Sequence, residues 1–372
     1  MSKNPVLPLF VKALSANDTV IGLIAAVSPI AGIFFSFPIG LLADRMGKKR
    51  LLVAAAVVFI AAPLLYLFVY APLWLIPIRF FHGIATAILG PVASAIIISS
   101  YPESKGEKLG LYSSATLFGR TLAPLLGGVI ITGFAFLGGT LNFRAVYAAA
   151  FVLCIPVVIL ALSIRGDSGT EGIKKVTLAD FGRSLVTFAR NGKLLGTSLV
   201  EMATYFAYGC FETYIPILLS SQGVPAYQIG LVFSLQVVSI ALTKPLFGRI
   251  ADRIDRRVQI VAGIALLAAF IAAVPFFHGI ILTAVVGILF GLAVSISTVA
   301  TSTFVADVAK KEHLGASLGA LSSIMDIGHS SGPFIAGVVI TATALSYGFL
   351  LAAAVCAVCG VIFAALAFSR AP

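Results

Sequence analysis

Charge is what this sequence has least of. Only 10% of its 372 residues are Asp, Glu, Lys or Arg, where a soluble domain carries about a quarter. That excludes a water-soluble globule. Acidic residues are scarcer still, 14 against 25 basic ones. The four cysteines, Cys154, Cys210, Cys356 and Cys359, all lie inside apolar runs, with no spacing of a metal site or disulfide framework, and read as small core hydrophobes. No metal and no cofactor is expected. There is no G-x-x-x-x-G-K-[ST] loop to cradle a nucleotide phosphate, which argues against ATP-driven work. Nor is there a Ser/His/Asp or metal-ligand cluster, and the connecting segments are too short for a catalytic domain. An enzyme is excluded on these grounds.

What the chain has is apolar surface: 60% hydrophobic residues and a mean hydropathy of +1.09. At about 20 residues per membrane-spanning helix, this supplies about eleven spans. Runs long enough to cross lie at 19–43, 51–70, 75–100, 109–133, 145–164, 194–220, 227–250, 258–277, 280–305, 314–341 and 347–368. A twelfth apolar stretch, Pro5 to Leu14, is about half the necessary length. The net charge of +11 is a topology signal rather than a mark of nucleic-acid binding. Lys and Arg concentrate in loops 44–50, 101–108, 165–193, 251–257 and 309–313, whereas the alternating loops hold only Lys12 and Arg144. The positive-inside rule makes the basic loops cytoplasmic and the protein a multi-pass component of the cell membrane. Attraction to anionic headgroups is compatible with the same pattern. Residues 165–193 form the one long connection, with the apolar spacing of a surface amphipathic helix (Leu178, Phe181, Leu185, Phe188), and read as a cytoplasmic linker between halves at 1–164 and 194–372. No targeting peptide is evident.

The sequence also repeats. GLLADRMGKKR at 40–50 returns as GRIADRIDRR at 248–257, an offset of 208, and Gly110, Gly119, Pro124 and Gly128 return as Gly319, Gly328, Pro333 and Gly337 at an offset of 209. Two homologous halves follow. In the first copy, Gly40, Asp44, Arg45, Gly47 and Lys48 resemble the loop signature G-x-L-A-D-R-x-G-R/K-R/K of the major facilitator superfamily. Gly248, Asp252 and Arg253 match it in the second copy, with Asp255 in place of the signature's last glycine. Arg79-Phe-Phe-His82-Gly83-Ile-Ala85 resembles the fourth-helix signature of that family. Gly110-x8-Gly119-x3-Ala123-Pro124-x2-Gly127-Gly128 resembles its fifth-helix antiporter signature, with Ala123 departing from glycine. The resemblance covers the whole chain and is to the 12-helix drug:proton antiporters in particular. It implies an all-α integral membrane fold of two pseudo-symmetric six-helix bundles, alternating access, a cytoplasmic latch at the two repeated loops, and by default a monomer. Small residues and Pro in helices 5 and 11 (Gly119, Pro124, Gly127, Gly128; Gly328, Gly332, Pro333) suit tight packing and bending.

An ionisable group in the hydrocarbon region costs at least about 2.5 kcal/mol, so each such group needs a pairing or a function. Arg79, Arg120, Glu201, Glu212, Lys244, Asp326 and His329 are such groups here. Glu201, Tyr205, Tyr208 and Glu212 fall at i, i+4, i+7 and i+11 of helix 7, one polar stripe. It is either a wall of a substrate- and proton-binding cavity, with Glu212 the favoured proton carrier, or an interhelical pairing seam. Asp326 and His329, one turn apart, form a second protonation site or a structural pair for Arg79, Arg120 or the backbone near Pro333. Arg120 attracts an anionic substrate group or neutralises a resident carboxylate. His82 stands where the family often has glutamine. Lys244 reads as a structural or snorkelling cation, and Asp307 and Asp18 as solvated loop groups.

The function expected is ion-coupled secondary transport in a lipid bilayer, with protons and a small molecule as partners and no nucleic acid. Proton-driven efflux of lipophilic or drug-like compounds is the leading form. Uptake by symport of a small anionic or sugar-like solute and a non-transporting receptor on the same fold are the alternatives. The offset of 208 maps Pro216 onto Pro8, so helix 1 is expected to begin upstream of Met1 and to lack its cytoplasmic half in this chain.

Overall fold

The computed structural model describes residues 5–164, 186, 192–308 and 314–368, with side chains described throughout except at 36–46, 105 and 314–319. The surface-helix residues Leu178, Phe181, Leu185 and Phe188 and loop 309–313 lie outside the described residues. Among those described there are twelve α-helices and no strand. The physical reason is the solvent: lipid offers no hydrogen bonds to the backbone, so a crossing segment satisfies its own amides. We number the helices α1 (Val6–Ala13), α2 (Asp18–Met46), α3 (Lys48–Tyr66), α4 (Leu75–Ser100), α5 (Lys105–Gly133), α6 (Leu141–Ser163), α7 (Gly192–Ser221), α8 (Ala226–Ala251), α9 (Arg256–Ala273), α10 (Ile280–Val308), α11 (Leu314–Ala342) and α12 (Leu345–Phe368). Helix α1 has 8 residues, against 30 in its repeat counterpart α7.

Nine of these helices are long and apolar enough to cross a membrane by length and composition among the described residues. The long helices α7 and α11 are not among the nine. They are the two that carry Glu201, Glu212, Asp326 and His329, of which Glu201 is buried and the other three are half-buried.

Helix ends follow local chemistry. Asn17 accepts from the Val20 amide at 2.9 Å and so caps α2, a standard N-terminal cap. This corrects the placing of Asp18 in a loop, because it is the first residue of α2. Helices α2 and α3 are joined at Gly47, whose φ of +85° is accessible without strain to glycine alone. The second copy solves the same corner differently. At the equivalent position Asp255 has φ −61°, and its carboxylate caps α9 by accepting from the Arg257 amide at 2.9 Å.

Within the first half, α4 packs on α2 and α3, and α3 on α6; within the second, α7 packs on α12 and α11, and α9 on α10 and α12. The halves meet along α2 with α11 and α5 with α8, pairs that exchange under the internal repeat. Small residues make the approach possible. A Cβ at Gly128 would run into the Ala226 carbonyl, one at Gly230 into the Pro124 carbonyl, and one at Gly22 into the Pro333 carbonyl.

This seam is closed at the end remote from the basic loops. Thr19 bonds Thr341 Oγ1 through its amide at 3.0 Å and its hydroxyl at 2.9 Å. Tyr214 Oη donates to the Pro333 carbonyl at 2.7 Å and lies 3.1 Å from the Asp18 carbonyl. The Tyr227 amide donates to Thr132 Oγ1 at 3.1 Å, and Ser234 Oγ to the Thr121 carbonyl at 2.6 Å. Toward the basic end the picture reverses. Residues 106–120 of α5 are exposed or half-buried, and nothing lies within 4 Å of a Cβ built at Gly106, Gly110 or Gly119.

Candidate functional site

Helix α7 runs through the middle of the second half, and its polar stripe divides its partners by depth. Nearest the basic end, Glu201 is 4% exposed and its Oε2 accepts a 2.5 Å hydrogen bond from Thr301 Oγ1 of α10. About three turns on, Glu212 Oε2 lies 3.0 Å from His329 Nε2 of α11. Between them sit Tyr205 and Tyr208, ring centroids 5.9 Å apart, with the His329 ring 6.3 Å from the first and 5.8 Å from the second. Stripe residues therefore reach two neighbouring helices as well as the space between them. The Glu212–His329 pair is half-buried, its side chains 19% and 20% exposed, so it is shielded from bulk solvent without being sealed from it.

Asp326 and His329 share a helix but not a direction. The Asp326 carboxylate lies against α2, 3.4 Å from where a Cβ on Gly32 would stand, while His329 turns to Glu212. Arg120 lies on the exposed face of α5, close enough to act electrostatically on Tyr205, Tyr208 and Lys244. Three carboxylates (Glu201, Glu212, Asp326) thus share one region with two basic side chains, Arg120 and Lys244. With all five ionised the balance is negative.

Lys244 is exposed. It also lines a cavity of about 350 Å³ with Glu201, Tyr205, Thr298, Ser302 and Met325, between α7, α8, α10 and α11.

Arg79 and His82 are elsewhere. Arg79 is 2% exposed and donates to the carbonyls of Ile24 at 3.4 Å and Ala25 at 3.5 Å. Beside it, Tyr66 and Tyr147 stack at 4.3 Å. His82 is buried edge-on against Phe59 at 5.4 Å. Both belong to the packing of α4 on α2 and α3, not to the region around α7.

At the basic end, Gly40, Asp44 and Arg45 fall in the last turns of α2, where only the backbone is described. Lys48 is buried and donates to Ser99 Oγ of α4 at 3.3 Å. In the second copy Asp252 pairs with Arg256 at 3.7 Å, Arg253 is exposed, and Gly248 has open space beside it. Arg256 also pairs with Asp307, which is exposed, as expected, but lies within α10 rather than past its end. Arg257 grips Asp255 through Nε at 3.0 Å and Nη2 at 2.6 Å, and its guanidinium holds that carboxyl below the usual carboxylate range.

The small residues of the fifth- and eleventh-helix motifs divide in the same way. A Cβ at Gly328 would strike the Met202 carbonyl and one at Gly332 the Phe206 carbonyl, so α11 lies directly on the α7 backbone. Gly127 and Gly128 are buried and Pro124 is inside the helix, whereas Gly119 faces open space.

Sequence reasoning misses Thr301, Tyr214, Thr19 and Thr341. Threonine and tyrosine are common in membrane helices, and only the approach of a second helix distinguishes these from their neighbours.

The family model described as Major Facilitator Superfamily matches residues 3–225 and 197–372. The chain belongs to the major facilitator superfamily. Relatives within it include an uncharacterized MFS-type transporter of Methanocaldococcus jannaschii, 23% identical over 350 residues (93% of this chain and 86% of the relative). The multidrug resistance protein MdtG of Citrobacter koseri is 26% identical over 370 residues (96% and 87%). Among solved structures, a bacterial homologue of the human lysosomal transporter Spinster, in an inward-facing and occupied conformation, superposes with a TM-score of 0.77 at 16% identity (97% and 93% covered). The nucleoside transporter NupG superposes with a TM-score of 0.73 at 16% identity (98% and 97%). These likenesses fix the all-α superfamily fold. The protein is a multi-pass membrane transporter and not an enzyme.

Proposed function

We propose that this transporter exports small, lipophilic or drug-like molecules across the cell membrane in exchange for protons, by alternating access between the halves 1–164 and 194–372. The observation that carries the reading is the Glu212–His329 contact at 3.0 Å. A carboxylate and an imidazole at hydrogen-bond distance can share one proton between them. This pair joins α7 to α11, and α11 packs against α2 of the other half, so the proton's presence is felt where the halves must move. Glu212 is the carrier in this reading and His329 its partner. The multidrug relatives support export and a broad range of substrates. Tyr205, Tyr208 and Arg120 line the path, the repeated loops with Asp44, Arg45, Lys48, Asp252 and Arg253 form the gate on the cytoplasmic side, and Gly119 and Pro333 serve as hinges.

The uptake reading is weaker on one particular: Arg79, one of the two cations offered for an anionic solute, already donates to Ile24 and Ala25 carbonyls.

Reconstituted in liposomes with a pH-sensitive dye inside, the protein is expected to move protons when a fluorescent lipophilic cation is added. Glu212→Gln is expected to abolish proton movement. Transport indifferent to a pH gradient, or proton movement that survives the substitution, would sink the reading.

A further inference from the structure

The cavity beside Glu201 has a chemistry of its own. Three hydroxyls on its α10 wall already use their protons. Thr298 donates to the Val294 carbonyl at 2.8 Å, Ser302 to the Thr298 carbonyl at 2.7 Å, and Thr303 to the Val299 carbonyl at 2.8 Å. What these groups turn to the cavity is lone pairs. Glu201 adds a carboxylate, of which Oε2 takes the Thr301 proton while Oε1 has no hydrogen-bond partner among the described residues. That wall accepts hydrogen bonds and is negative, so it selects a donor that is positive.

Lys244 lines the same cavity from α8. It forms no ion pair and no hydrogen bond among the described residues, although it feels the Glu201 charge. Opposite charges that line one cavity and yet stay out of contact leave each other's hydrogen-bonding sites open, Glu201 buried and Lys244 exposed. A buried charge with an open hydrogen-bonding site is costly. A ligand that carries the complementary charge at each end removes that cost at Glu201 and pairs the Lys244 ammonium at the other end. A ligand with a second cation would meet Lys244, and a plain anion would meet Glu201. Val299, Leu321 and Met325 give the middle of the cavity an apolar surface.

We propose that the Glu201–Lys244 cavity is the substrate pocket for an amphoteric small molecule, one with a protonated amine that sits on Glu201 and a carboxylate or similar anion that sits on Lys244, with an apolar body between. The inference rests on the export reading for its physiological meaning, but not for its binding chemistry. It assigns Glu201 to substrate and leaves the proton to Glu212.

Three probes of one shape separate the possibilities: 4-(aminomethyl)benzoate, benzylamine and 4-methylbenzoate. On the purified protein in detergent, binding is measured by the rise in unfolding temperature across a concentration series, which reports affinity because ligand binds the folded state. The zwitterion is expected to bind most tightly, the amine less, and the acid least. Lys244→Met is expected to weaken the zwitterion about tenfold, to the level of benzylamine, the loss of one charge-assisted hydrogen bond. Glu201→Gln is expected to remove binding of both amines. If Glu201→Gln does not fold, the order of the three probes on the unaltered protein and the Lys244→Met result decide alone. The acid binding as tightly as the zwitterion, or no binding of either amine at millimolar concentration, overturns the proposal. In proteoliposomes the two readings part: zwitterion binding with no proton movement leaves the pocket and removes the antiport, whereas proton-coupled export of 4-(aminomethyl)benzoate that Glu201→Gln leaves intact removes the pocket and keeps the antiport.

Discussion

Asp255 shows how a single side chain changes a local solution. Where the first repeat turns on a positive-φ glycine, the second turns on a carboxylate that caps α9 and grips Arg257. Its lowered pKa means that its contribution is present above the ordinary carboxylate range and is lost as pH falls through that lowered value. The unfolding temperatures of the native protein and Asp255→Asn are therefore expected to differ at neutral pH and to converge in acid. Tyr214 is a second such residue. Its hydroxyl, between the Pro333 and Asp18 carbonyls, is the kind of hydrogen bond whose removal costs about 1 kcal/mol. Tyr214→Phe is expected to shift the population several-fold toward the state open at the end remote from the basic loops, read as faster thiol labelling of a cysteine placed at Thr19. Labelling that does not change would show that Tyr214 does not hold the seam. Neither role is visible in sequence: a replaced glycine looks like a loss, and Tyr214, two residues after Glu212, lies on the face of its helix away from the polar stripe.

At the scale of the helix, the legible part is large. The eleven apolar runs correspond to α2 through α12, and the ends move by only a few residues, because a run of apolar residues bounded by charge has one low-energy conformation in lipid. What the runs conceal is which glycine touches what. Gly119 and Gly328 occupy repeat-equivalent positions, yet one faces open space and the other lies on the Met202 backbone. Gly119→Ala is expected to fold as the native protein does. Gly328→Ala is expected to cost about 1–3 kcal/mol, the range for overpacking, and to lower the unfolding temperature in detergent. Equal effects at the two sites would contradict the packing described.

At the scale of the whole molecule, the seam between halves has one closed end and one open end. Thr19 and Thr341 touch across it, far from the cavity, so cysteines at both positions are expected to form a disulfide that arrests transport and releases it on reduction. Transport that continues with the bond formed would mean that this seam need not open. The charges sort by the same geometry. The seven membrane charges are all legible as residues that need a partner, since an ion in hydrocarbon is expensive wherever it lies. Their partners are not. Arg79 meets backbone carbonyls, Glu212 meets His329, Asp326 lies against α2, and Lys244 faces a cavity.

By itself the sequence determined the solvent, the number and limits of the long helices, the repeat and the family motifs, because hydrophobic run length and charge placement act locally along the chain. Only the tertiary structure decided which of the intramembrane charges meet, which end of the seam is shut, and that Glu201 and Lys244 line one cavity. Those are distances between residues that are tens of positions apart or more, and they depend on how helices rotate about their axes and where small residues let them approach.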